Sequence, residues 1–82
     1  MNTAAAIVNE LGHLPAGYLQ NRRALSASLR LAIAPTPAEA EIDAALNRLE
    51  ADRLIVCHAD PLTGKGYALT DYGRAKYTEL FT

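Results

Sequence analysis

AEIDAALNRLEADRLIVCHADPLTGKGYALTDYGRAKY, residues 40–77, holds a helix, a hairpin and the start of another helix in one run. The first helix is predicted from Thr36 to about Arg53. Thr36, Pro37 and Glu39 have the spacing of a capping box with proline in the first turn. Ile42, Ala45, Leu46 and Leu49 then recur at helical spacing and form the core stripe. Leu54 to His58 is short and β-rich. Asp60 to Gly66 is a turn signal with two glycines, and Tyr67-Ala68-Leu69 alternates. Together they predict a β-hairpin. Thr70 is placed to cap a last helix through about Leu80.

Upstream, Thr3 to Leu11 reads as a helix, with Thr3 as N-cap and Ala4, Ile7, Val8 and Leu11 on one face. Gly12 stands where a left-handed C-terminal residue is wanted. Pro15-Ala16-Gly17 breaks the chain, and Gly17-Tyr18-Leu19 can supply a short third strand. A second helix is predicted from Asn21, its cap, to Ile33. Leu25, Leu29, Ala32 and Ile33 face inward, and Arg23, Ala27 and Arg30 face outward. Pro35-Thr36-Pro37 separates it from the third helix. The order is helix, helix, helix, strand, turn, strand, helix. This is an α+β fold in one domain spanning 1–82.

Length and composition narrow the function. A chain of 82 residues fits one small domain. Half of it is hydrophobic, enough for a globule. Eight Lys and Arg stand against nine Asp and Glu, for a net charge of −1. That excludes a polybasic coat for nucleic acid, but not a domain that gathers its cations on one face. The single cysteine, Cys57, cannot form an intramolecular disulfide and reads as a core residue. The opening Met1-Asn2-Thr3 has no basic leader, and no apolar run nears the roughly 20 residues of a membrane span. The expectation is a cytoplasmic protein.

Catalytic and metal signals are weak. His13 and His58 are far apart, and Cys57 and His58 are strand neighbours that point to opposite faces. Gly64-Lys65-Gly66 precedes a strand, not a helix, and so lacks the context of a phosphate loop. No catalytic residue, metal site or cofactor is predicted.

The stretch at 40–55 resembles the second helix of a helix-turn-helix running into its hairpin. DPLTGKGYALTDYGRAKY, residues 60–77, is similar to the wing and following helix of winged-helix regulators of the MarR and PadR type. The shared string is Tyr67, Leu69, Thr70, Gly73 and Arg74, and the resemblance covers about residues 36–78. It implies a winged helix-turn-helix: three helices, a two- to three-stranded wing and a C-terminal helix. It also implies transcription regulation through double-stranded DNA, with Arg22 and Arg23, at the start of helix two, beside the DNA backbone.

The residues themselves supply the rest of that reading. Lys65 is the wing's cation. With the core stripe facing in, Pro37, Ala40, Ala44, Asn47 and Ala51 lie outermost on helix three, flanked by Glu41, Asp43 and Arg48. Of these, Asn47 and Arg48 are the types that read base edges. The predicted DNA-binding set is therefore Arg22, Arg23, Asn47, Arg48 and Lys65, with Arg30 as a further cation. The same helix carries Glu39, Glu41, Asp43, Glu50 and Asp52, which oppose phosphates. The alanine stripe fits a helix former at exposed positions, a close protein contact or a groove. The alternative function is therefore a protein-interaction module working through helix three. A homodimer would use the short terminal helices, with Tyr72, Tyr77, Leu80 and Phe81 contributing.

Overall fold

The chain runs α1 (Thr3–Gly12), β1 (Gln20–Asn21), α2 (Arg22–Ala32), α3 (Glu39–Ala51), β2 (Ile55–Asp60), β3 (Gly64–Leu69) and α4 (Asp71–Phe81). The structure, a computed structural model, describes residues 2–15 and 17–81. Met1, used above in reading the N terminus, Ala16 of the Pro15-Ala16-Gly17 break, and Thr82 lie outside the described residues. The strands form one antiparallel sheet in the order β1-β3-β2. The expected α+β order holds.

α1 touches α2, α3, α4 and β3, so it is the centre of the packing. Its Ile7 and Leu11 meet Leu25 and Leu29 of α2, Ile42, Leu46 and Leu49 of α3, and Ile55 and Tyr67 of the sheet in one buried cluster. The three helical stripes read from the sequence are thus core stripes, with one exception. Ala32 is exposed, and Ser26 is buried instead. α2 ends at Ala32, and extended backbone at Ile33 returns that side chain to the core.

Helix ends depart from expectation at three places. Asn2, not Thr3, caps α1, its side chain accepting from the Ala5 N–H at 2.7 Å. The Thr3 hydroxyl instead donates to Glu41 at 2.8 Å. Gly12 is not a left-handed terminator but the last helical residue, followed by His13 at φ −79°. Its role is close approach: a Cβ there would lie 2.3 Å from ring atoms of Tyr77 on α4. Finally, the capping box at Thr36 does not form. α3 begins at Glu39 after Ala38, which offers no side-chain cap. Thr36 precedes a proline, which pushes it toward extended backbone. The Glu39 carboxylate is engaged elsewhere, as described below.

The short first strand exists, but at Gln20–Asn21 and not at 17–19. Gly17 has φ +88°, and the Tyr18 N–H donates to the Pro15 carbonyl, so Gly17 stands in a turn and not in a strand. Pairing begins after it, Gln20 opposite Tyr67 and Asn21 opposite Gly66. Asn21 then caps α2 by accepting from the Ala24 N–H at 2.7 Å.

β2 and β3 pair from Ile55–Leu69 to Asp60–Gly64. Both are longer than predicted, and Gly64 and Gly66 belong to β3, not to the turn. The tip is residues 61–63. The Asp60 carboxylate accepts from the Leu62 and Thr63 N–H groups at 2.7 and 3.2 Å, and Gly64 supplies φ +83°. Those two hydrogen bonds hold the Asp60 carboxyl below its ordinary value. Cys57, opposite Tyr67, is half-buried against the core.

Thr70 caps α4 as expected, accepting from the Gly73 N–H at 2.9 Å. Gly73 is a close-approach residue, and its neighbour is the Leu54 carbonyl. Of the four residues assigned to a dimer contact, Tyr77 and Phe81 are turned onto the core, leaving Tyr72 and Leu80 exposed.

Candidate functional site

Two ladders at helical i,i+4 spacing face each other across the α2–α3 junction. On α2 they are Arg22, Ser26 and Arg30; on α3, Glu39 and Asp43. The Arg22 guanidinium forks between both carboxylates, Nη2 to Glu39 Oε2 and Nε to Asp43 Oδ1, each at 2.9 Å. Its Nη1 donates to the Ser26 hydroxyl, which donates in turn to Glu39 at 2.9 and 3.2 Å. Arg30 Nη2 lies 3.9 Å from the other Glu39 oxygen. Such charge-assisted, forked pairing fixes geometry that a lysine could not.

The electrostatics follow. Burial opposes the charge on Arg22, but hydrogen bonds to Glu39 and Asp43 outweigh it and hold its pKa above the ordinary arginine value. Hydrogen bonds from Arg22, then Ser26, hold the Glu39 carboxyl below the ordinary glutamate value. A depressed folded-state pKa favours the ionised form. Its contribution to stability is full above the ordinary glutamate pKa of about 4.3 and is lost as pH falls through the folded value. In a carboxyl-resolved NMR titration, Glu39 should titrate below the ordinary range, and Arg22→Ala should return it there. An ordinary Glu39 midpoint in the parent would mean that the fork is open in solution.

This junction forms one wall of an open cleft of about 860 Å³. The other wall is the hairpin tip, Leu62 to Lys65. Arg22, Arg23, Arg30 and Lys65 line it against Glu39 and Asp43. Four of the chain's eight Lys and Arg thus meet two of its nine carboxylates, and the cleft carries a charge of +2 within a chain of −1. The N-terminal end of α2, with its partial positive charge, also opens here.

Of the predicted set, the fold brings Arg22, Arg23 and Lys65 together, and Arg30 joins them. Arg23, Arg30 and Lys65 are exposed, while Arg22 is half-buried and held by its carboxylates. Asn47 and Arg48 lie outside the cleft, exposed on α3. Arg48 pairs loosely with Asp52 at 3.5 Å, an exposed i,i+4 contact of little energy. Sequence reasoning missed Ser26, Glu39 and Asp43 as members of the cleft. The available signal was a serine on the inner face of an amphipathic helix, a turn away from each of two arginines.

Among the described residues, no group of three His, Cys, Asp or Glu side chains could hold a metal ion. No described helix is long and apolar enough to cross a membrane. Comparison with protein-family models, with curated proteins and with solved structures finds no match.

Proposed function

We propose that this chain is a winged-helix, DNA-binding regulatory domain of the cytoplasm that holds the duplex backbone in the cleft between α2 and the hairpin. The observation that carries the reading is the gathering of half the chain's cations in that one cleft. Phosphate contacts supply most non-specific affinity and need no large net charge, only a local excess. The order of helices, the three-stranded sheet and a hairpin tip beside α2 match what a winged helix needs. Arg23, Arg30 and Lys65 are the exposed cations that meet phosphates. Asn47 and Arg48 are the groups α3 offers to base edges.

The affinity should be modest and salt-sensitive in a defined way. Three phosphate contacts give a slope of log affinity against log salt of about −2.7, at roughly −0.9 each. Arg23→Ala and Lys65→Ala should each flatten it by about 0.9 and leave any base preference intact. Fluorescence anisotropy with random-sequence duplex reads both. No binding at about 50 mM salt by a folded parent would sink this reading.

A protein-contact function through α3 is favoured by one observation. Ala40, Ala44, Asn47 and Ala51 are all exposed on it, beside the acidic Glu41 and Asp43. Glu41→Gln separates the two readings. It should tighten duplex binding by removing repulsion, or weaken a basic protein partner and leave duplex untouched.

A further inference from the structure

Ser26 is 5% exposed, yet its hydroxyl is directed at a charged group, not at the backbone of its own helix. That group, the Glu39 carboxylate, is held by Arg22 on one oxygen and by Ser26 on both, with Arg30 at 3.9 Å. Each of these three α2 side chains can donate to an anion. Glu39 itself is exposed and stands at the first position of α3, where nothing in the core needs it. Asp43 grips Arg22 from a different nitrogen, Nε, so the guanidinium stays oriented if Glu39 leaves.

We infer that Arg22, Ser26 and Arg30 form a seat for one phosphate group, which the chain's own Glu39 carboxylate fills in the free protein. The inference rests on the duplex-binding reading above and adds a site and its regulation. A carboxylate and a phosphate present similar oxyanion edges to an arginine fork, so one can replace the other without rebuilding the seat. The guanidinium, the hydroxyl and the second arginine would then meet a phosphodiester of the duplex. Glu39 acts as a built-in competitor that lowers affinity for every sequence alike and leaves discrimination to the base-contacting groups.

The test is Glu39→Ala, measured with the same random duplex across a salt series, with circular dichroism as the check on folding. Removing Glu39 frees Arg22, which that carboxylate neutralises in the parent, to act as one further phosphate-neutralising cation beside Arg23, Arg30 and Lys65, so the slope should steepen by about 0.9. Between about 200 and 50 mM salt, the variant should therefore gain about 3.5-fold more affinity than the parent does. Adding Arg22→Ala should abolish that gain. A gain that survives Arg22→Ala would come from charge removal alone and would overturn the seat. Glu39→Gln, which keeps a hydrogen-bonding amide in place, serves if the alanine variant unfolds, and should give part of the gain.

A second arm adds inorganic phosphate to Glu39→Ala and follows the Arg22 Nε–H and Ser26 amide resonances. Shifts with phosphate but no steeper duplex slope would assign the seat to a free phosphate and overturn the backbone assignment. Shifts in neither arm would overturn the seat outright. If the folded parent binds duplex but Glu39→Ala binds no better, only the seat fails. If neither binds at about 50 mM salt, the duplex reading fails and takes the seat with it.

Discussion

Gly73→Ala should destabilise the protein, against the sign that helix propensity predicts. In a helix, alanine is favoured over glycine by about 1 kcal/mol. Here a Cβ would stand 1.9 Å from the Leu54 carbonyl oxygen and 2.9 Å from its carbon. The obstacle is backbone, so no side-chain rotation relieves it. That carbonyl accepts from the Thr70 N–H at 3.1 Å, and the Thr70 hydroxyl donates to the Arg53 carbonyl at 2.6 Å. A methyl group at 73 therefore pushes apart the joint between the end of α3, the start of β2 and the cap of α4. Overpacking of this kind costs about 1–3 kcal/mol. The expected net effect is a lower urea midpoint for Gly73→Ala and a larger loss for Gly73→Leu, where Leu69 already lies 3.2 Å from the added Cβ. A midpoint equal to or above the parent's would place α4 farther from Leu54 than described.

That joint also shows which parts of the fold were legible in the sequence. Gly73 entered only with the winged-helix resemblance, whereas Tyr67, Leu69 and Thr70 were readable because strand alternation and a cap are local rules. The hairpin and the stripe Ile42, Leu46 and Leu49 were readable for the same reason. Helix ends were less so, because several residues compete for one role. Asn2 and Thr3 can both cap, and the third dimension gave Asn2 the cap and Thr3 to Glu41. At Thr36 and Glu39, local rules predicted a capping box, but Arg22, 17 residues away, took the glutamate. The same long-range pairing explains the partial view of the cleft. Charge type marked Lys65 as a candidate, and the winged-helix resemblance marked Arg22 and Arg23. Nothing local said that Arg22 would be neutralised within the chain while Arg23 and Lys65 stayed exposed.

Leu46→Ala should be among the costliest single changes in the molecule, while Leu31→Ala should be almost silent. The two leucines look alike in a list of apolar residues on helices. Leu46 is 2% exposed in the cluster shared by α1, α3 and the sheet, whereas Leu31 is 92% exposed. Helix propensity favours alanine only slightly over leucine at either site, so burial decides the outcome. Truncating a buried leucine removes its transfer energy and leaves a cavity, together about 2–5 kcal/mol. An exposed position away from such features stays within about 0.5 kcal/mol. For 82 residues, a total stability of roughly 4–12 kcal/mol follows from about 0.05–0.15 kcal/mol per residue. Leu46→Ala therefore removes a large share, and at the lower end of that range it unfolds the domain. Chemical denaturation of the two variants beside the parent reads the difference directly. Equal midpoints for Leu46→Ala and the parent would show that the inward face of α3 is not the one carrying Ile42, Leu46 and Leu49. The cleft would lose its geometry with it, because the same rotation of α3 would carry Glu39 and Asp43 away from Arg22.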